Sequence, residues 1–219
     1  MNQLYTCILI GAALLINVNS TVFAQNKISA GFNAGAGISS LYGNGYGANK
    51  LHAHIGVPVN FEFNKNLEFQ ATALLSSKGY ASSFYKPTER MKLYYMDLVA
   101  TLKYFPYKIA FIGGGLYASG LLKSQYRYLA YSNDYYGEPD ISNIVNKFDY
   151  GLNGSIGCQF DNGVGFDFSI LFGLQDVLNS NISDTLVGYY GYPYVIPAEA
   201  NGNNMVISTS FYYLFGKND

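Results

Sequence analysis

Residues 148–174, FDYGLNGSIGCQFDNGVGFDFSILFGL, alternate almost without a fault between apolar and small or polar side chains, and this constrains the fold more than any other stretch. Phe148, Tyr150, Leu152, Ile156, Cys158 and Phe160 share one parity, and Asp149, Gly151, Asn153, Ser155, Gly157 and Gln159 share the other. After Asp161, Asn162 and Gly163 the pattern resumes, with Val164, Phe166, Phe168, Ile170, Phe172 and Leu174 set against Gly165, Asp167, Ser169 and Gly173. A period of two on both sides of an Asx-Gly turn predicts a hairpin. Each arm exceeds the roughly five or six residues of an ordinary strand and reaches the roughly 9 to 11 that a tilted strand needs to cross a bilayer.

The same alternation recurs along the chain. One face of successive strands takes Ile28, Ala30, Phe32, Ala34, Ala36 and Ile38, then Leu51, Ala53, Ile55, Val57, Val59, Phe61 and Phe63, then Leu67, Phe69, Ala71, Ala73 and Leu75. It continues with Tyr94, Met96, Leu98, Ala100, Leu102 and Tyr104, with Ala110, Ile112, Leu116, Ala118 and Leu122, and with Met205, Ile207, Phe211, Tyr213 and Phe215. Connections alternate in length: the turns 64–66, 106–108 and 161–163 are short, whereas 42–50, 77–91, 124–147 and 175–203 are long loops. Short turns on one side and long loops on the other are the arrangement of outer-membrane barrels, in which an even number of strands returns both termini to the periplasm.

Charge placement points the same way. Within the strand runs Glu62, Glu68, Asp97, Lys103, Lys123, Asp149 and Asp167 all fall on the parity opposite the apolar face. A charge on a lipid-facing wall near mid-bilayer costs about 2–4 kcal/mol, so their exclusion from the apolar face is what hydrocarbon would impose. A soluble eight-stranded barrel would show the inverse pattern. The fold expected is therefore all-β, an eight-stranded antiparallel up-and-down transmembrane β-barrel. Its interior is about wide enough to be filled by its own side chains. Inward Leu74, Tyr95, Phe111, Tyr117 and Leu171 occupy much of it.

Composition agrees: the chain is 49% hydrophobic and 17% aromatic but only 12% charged, against about 25% in soluble proteins. A net charge of −1 argues against a nucleic-acid partner, which requires a basic surface to neutralise phosphates. Residues 1–24 read as a signal peptide: an apolar run over 7–16 is followed by Val22, Phe23 and Ala24, the small-residue spacing of a signal-peptidase site. The barrel domain then occupies residues 25–219. Cleavage removes Cys7 and leaves Cys158 alone, outward by parity and packed against lipid.

Several segments resemble the PorT-like outer-membrane β-barrel domain of Gram-negative bacteria: LSSKGY at 75–80, LYYMDLVATLKYFP at 93–106, FIGGGLYASGLLKSQ at 111–125, FDYGLNGSIGCQF at 148–160, LFGLQDV at 171–177 and FYYLF at 211–215. The resemblance implies the same fold and an outer-membrane location, and brings no catalytic residues with it.

For the site, topology suggests two lumen ion pairs, Glu68 with Lys103 and Lys123 with Asp149. His52 and His54 point inward, two apart on one strand. Their spacing is compatible with a metal site or, with Ser39 on the neighbouring strand, a hydrolytic pair. The accompanying ligands and carboxylate that such chemistry needs are not evident, so structural hydrogen bonding is the expectation and no catalytic, metal or cofactor residue is assigned. The Tyr-rich loops, with Tyr126, Tyr128 and Tyr131 in one and Tyr189, Tyr190 and Tyr192 in the other, form the expected contact surface, because tyrosine supplies contact area at low entropic cost. Three roles follow: a non-catalytic structural or binding protein of the outer membrane, contacting lipid and an envelope protein or extracellular ligand; a lipid or peptide hydrolase using His52 and His54; or a small pore.

Overall fold

The computed structural model describes residues 27–43, 49–81, 89–128, 140–179, 185–189, 192–196 and 202–216. The signal-peptide expectation therefore lies outside the described residues, as does Tyr131. Eight strands close into one antiparallel barrel: β1 (Ile28–Tyr42), β2 (Lys50–Asn64), β3 (Leu67–Ala81), β4 (Glu89–Tyr104), β5 (Ala110–Tyr128), β6 (Phe148–Gln159), β7 (Val164–Asp176) and β10 (Asn203–Phe215). Neighbours along the chain are neighbours in the wall, and β1 pairs with β10 to close it. A separate two-stranded hairpin, β8 (Thr185–Tyr189) with β9 (Tyr192–Ile196), lies in the sequence between β7 and β10.

The short turns are built by their side chains. The amide of Asn66 donates to Asn64 Oδ1 at 2.9 Å and that of Val164 to Asn162 Oδ1 at 3.2 Å, the local bonds that make Asn a turn former. Gly163 takes φ of 85°, a left-handed conformation that other residues adopt only with strain.

Burial is inverted relative to a water-soluble barrel. Phe32, Ile55, Leu98, Leu116, Ile156 and Phe211 are each between 57 and 63% exposed on the outer wall. Asp97, Lys103, Asn60 and Lys78 are at most 1% exposed inside it. Because the strand period is two, a single alternation sends one set outward and the other into the lumen. At the short-turn end, outward rings crowd together, Phe32 edge-on to Phe215 at 5.5 Å and Phe61 against Phe69 at 6.0 Å, consistent with an aromatic girdle at a membrane interface.

Inward glycines make room for large inward neighbours. A Cβ on Gly165 would enter the Tyr212 ring, and one on Gly157 would lie 2.8 Å from Phe111 Cζ. Small and large residues thereby alternate around the lumen, filling a narrow barrel without overpacking it.

Three boundaries differ from the sequence expectation. The segment 77–91 is mostly strand, since β3 runs to Ala81 and β4 starts at Glu89. β5 extends to Tyr128, so the loop expected over 124–147 begins later. The long connection 175–203 contains the β8–β9 hairpin. In the first two cases the regular alternation ends before the backbone pairing does, because the long-loop ends of β3, β4 and β5 carry Lys, Arg, Gln and Tyr. Around β3 the alternation is also bent, with Gly79 at φ of 122°.

A bulge corrects one residue's face. Tyr94 pairs with Lys123 and Tyr95 with Leu121, leaving Leu122 as the extra residue of β5. An extra residue reverses parity beyond it. Lys123 is consequently exposed, while Ser124 and Tyr126 turn inward.

Candidate functional site

The lumen is stacked in layers. At the short-turn end Glu68 and Lys103 face each other directly across the β3–β4 ladder. Lys103 Nζ donates to Gln159 Oε1 at 3.3 Å and to Tyr212 OH at 3.2 Å, and lies 4.3 Å from the centre of the Phe111 ring. Gln159 Nε2 donates to both carboxylate oxygens of Glu68, at 2.9 and 2.7 Å, and Asn60 Nδ2 adds a third donor at 3.0 Å. A carboxylate receiving three hydrogen bonds from two side-chain amides and a lysine over two rings form a desolvated, hydrogen-bonded network, with Asn60 Oδ1 alone among these groups left without a protein partner.

Towards the long-loop end a second cluster centres on Lys78. Its Nζ is 3.1 Å from Asp97 Oδ1 and 3.3 Å from Asp149 Oδ2, donates to Ser119 Oγ at 2.9 Å, and sits over the rings of Tyr95 and Tyr117 at 4.8 and 4.6 Å. Tyr117 OH and Asn204 Nδ2 donate to Asp149, and Ser76 Oγ donates to Asp97 at 2.6 Å. The expected Lys123–Asp149 pair is not formed: the bulge at Leu122 turns Lys123 to the outer wall, and Lys78 takes its place. Lys78 has the same parity as Glu68, Gln70, Thr72 and Ser76. Continuing that count past Ser77 was the available signal.

Between the clusters, His52 and His54 hydrogen-bond in series. His52 Nδ1 meets the Ser77 carbonyl at 2.9 Å, His52 Nε2 meets His54 Nδ1 at 3.0 Å, and His54 Nε2 meets Ser210 Oγ at 3.1 Å. A carbonyl only accepts, so the geometry implies a direction for every proton if both rings are neutral: Ser210 to His54, His54 to His52, His52 to Ser77. Ser39 is not the hydroxyl on this chain of bonds. Its Oγ bridges the carbonyl and amide of Gly79, both at 3.0 Å. Ser210 comes from β10, whose contact with His54 is hidden in sequence because the two are separated by 156 positions.

The histidines border a mid-lumen chamber of about 60 Å³, also lined by Asn33, Gln70, Asp97 and Ser155. Asn33 Oδ1, Gln70 Nε2 and Ser155 Oγ have no protein partner there. A chamber of this size and polarity suits a few waters bridging those atoms, but not an acyl or peptide substrate. Among the described residues no group of three or more His, Cys, Asp and Glu comes together as a metal site.

The long-loop mouth is plugged. Ile141, Ile144 and Val145 turn inward against Leu41, Tyr80, Met91, Leu93, Tyr126, Val177 and Leu178. Bonds from Asn146 N to Val177 O at 2.8 Å and from Asn179 N to Ile144 O at 2.9 Å tie the two segments together. Tyr126, expected at the contact surface, is fully buried in this plug, because the bulge reverses its face as well. Tyr128 closes β5 opposite Glu89. Tyr189 and Tyr192 pair across the β8–β9 hairpin, with Tyr190 outside the described residues.

A closed antiparallel ring, apolar outside and polar within, is the architecture of a membrane-spanning β-barrel. The chain belongs to the outer membrane protein β-barrel domain family, whose model matches residues 23–179. No curated protein matches it. Among solved structures it is similar to Ail, the attachment invasion locus protein of Yersinia pestis, in complex with the heparin analogue sucrose octasulfate. That match has 11% identity and a TM-score of 0.44, covering 85% of this chain and 99% of that one. It is also similar to Neisserial surface protein A, with 12% identity and a TM-score of 0.45, covering 85% of this chain and 98% of that one.

Proposed function

We propose that this outer-membrane barrel is a non-catalytic, non-conducting scaffold of the PorT-like kind. Its long-loop end faces outward and its β8–β9 hairpin, whose sequence includes Tyr189, Tyr192 and Tyr194, is the element that contacts an envelope protein or extracellular ligand. The observation that carries this reading is that the lumen is plugged at its long-loop mouth and cross-linked below it by the Lys78 and Lys103 networks, while the long connections join strand ends on one side of the barrel. Outer-membrane barrels place long loops outside and short turns in the periplasm. On this reading residues 1–24 are removed on export, and the hydrolase role of His52 and His54 is set aside because Ser210 opens only onto a water-sized chamber.

The test is capture of partners from detergent-extracted membranes by the full chain and by a variant lacking residues 185–196. Partners retained by the first and lost by the second support the hairpin as the contact surface. Identical captures, or stepwise conductance in a planar bilayer, overturn the proposal.

A further inference from the structure

The wall of the barrel is stepped at one place. The β1–β2 ladder reaches Ser39 opposite Lys50 and the β3–β4 ladder reaches Ala81 opposite Arg90, but between them the β2–β3 ladder stops at His54 opposite Ser76. Lys50 to Ala53 of β2 and Ser77 to Ala81 of β3 lie beyond that last pair. Side chains hold β3 there. Lys50 Nζ donates to the Lys78 carbonyl at 3.2 Å, His52 Nδ1 meets the Ser77 carbonyl at 2.9 Å, and Ser39 Oγ takes both the carbonyl and the amide of Gly79 at 3.0 Å. All three side chains belong to the buried, inward set of β1 and β2. Side chains that point into a lumen reach only backbone that lies inside the wall. The end of β3 therefore sits behind β2, drawn in by the ion pairs of Lys78 and bent at Gly79, whose φ of 122° a residue with a Cβ rarely adopts. Residues 78–81 are consequently all buried, where an intact alternation would expose every second one.

On the lipid side of this step lies an apolar groove of about 510 Å³. Ala53 and Ile55 of β2 form one flank, Tyr94 of β4 and Leu122 of β5 the other, and Ser76 and Ser77 of β3 lie in the floor. The groove opens onto the outer wall, where Ile55 and Leu75 are 62 and 55% exposed. Among the described residues no Lys, Arg, Asp or Glu lines it. His54 borders it too, but both its ring nitrogens and the Ser76 hydroxyl are engaged inside the barrel. The guest that fits is therefore apolar.

We propose that this groove holds one acyl chain of a membrane lipid, laid between β2 and β4 over the recessed end of β3 and retained longer than the lipid around the rest of the wall. The groove is continuous with the hydrocarbon-facing wall, and this makes the occupant a lipid chain and not a soluble apolar molecule. A convex wall touches a chain along one side only, whereas a groove touches it along both flanks as well. Dispersion is gained only from neighbours at contact distance, so an unfilled groove forfeits it along its lining. The inference needs only the lipid-facing wall, and holds for either orientation of the barrel and for any contact surface at its loops.

The test uses full-length protein in phosphatidylcholine nanodiscs in which part of the lipid carries a photoactivatable diazirine at mid-chain, with adducts mapped by mass spectrometry of peptides. Ala53→Phe, at an exposed position, fills the groove. The expected result is adducts on Leu75 and Tyr94 in the parent and their loss in Ala53→Phe, with adducts on Phe168, elsewhere on the wall, unchanged. Ala118→Phe, a substitution of the same kind on the exposed face of β5, should leave the whole pattern as it is. Native mass spectrometry after detergent washing should find one lipid retained by the parent and by Ala118→Phe, and none by Ala53→Phe. Ala53→Leu, a smaller plug, should give a partial loss, and heat-modifiable migration shows which variants are folded. Unchanged labelling of Leu75 and Tyr94 in the folded Ala53 variants, or no lipid retained by the parent, overturns the proposal. A dimer of the parent that Ala53→Phe dissociates would overturn it too, making the step an interface between copies of the chain.

Discussion

The two ends of the lumen use the same parts differently. Each has a buried lysine over two aromatic rings with acidic groups close by. At the long-loop end two carboxylates, Asp97 and Asp149, share the one cation Lys78, whereas at the short-turn end the single carboxylate Glu68 is also held by the amides of Gln159 and Asn60, and Lys103 donates to Gln159 and Tyr212. A cation shared by two carboxylates is a brittle arrangement, because losing the cation leaves both carboxylates desolvated. A carboxylate that amides also hold keeps those donors when the cation is removed. The lumen is therefore predicted to be more sensitive to substitution near its plugged mouth than near its turns.

The largest effect expected is at Lys78. Lys78→Met should lower the free energy of folding into lipid vesicles by about 3–5 kcal/mol, the range for breaking a buried pair by removing one partner. Adding Asp97→Asn and Asp149→Asn should recover much of it, and urea titration followed by heat-modifiable migration reads both. Tyr126→Ala should cost about 3 kcal/mol or more, since it empties the middle of the mouth plug. A neutral result would return Tyr126 to the surface, where the sequence put it. Lys103→Met should cost about 1–3 kcal/mol, because Gln159 and Asn60 continue to hold Glu68. If Lys103→Met proves the more damaging of the two lysine substitutions, the contrast between the ends is wrong.

The smallest effect lies outside the membrane wall. The backbone amide of Ser142 lowers the pKa of Asp140, helped by the Ser142 and Ser124 hydroxyls and by Lys123. A depressed carboxylate contributes stability above its unfolded pKa and loses it as pH falls through the folded one. Asp140→Asn should therefore be slightly less stable than the parent at neutral pH. The gap should close as the solution is acidified through and below the ordinary aspartate range, measured by urea midpoints across pH.

The same contrast explains what was legible beforehand. Glu68 and Lys103 lie in uninterrupted alternation on neighbouring strands, so parity and topology alone place them opposite each other, as the register does. Lys78 follows Ser76 on the same parity but beyond the last apolar outward residue, where alternation no longer distinguishes strand from loop. Lys123 lies on the face opposite to the one its parity predicts because one bulged residue reverses every position after it, and nothing in the string LLKSQ announces a bulge. Ser210 and His54 meet over the bare backbone of Gly35, and Asp97 and Asp149 flank Ser119 and converge on Lys78, so each contact spans an intervening strand and counting on adjacent strands alone does not bring them together. Wall and turns were readable because hydrocarbon acts on each residue singly. The site was not, because it is made of contacts between distant ones.

The central claim, that hydrocarbon wets the outer wall and the lumen is shut off from it, is tested most directly on β5. Single cysteines replacing Ile112, Leu116 and Ala118, and then Gly115, Tyr117 and Ser119, in a Cys158→Ser background would carry nitroxide labels in lipid vesicles. The account predicts high collision rates with oxygen and low rates with a water-soluble nickel chelate at the first three positions. At the second three, where the variant folds, neither reagent should collide freely. Strong nickel relaxation at residue 116, in the middle of the wall, would contradict it.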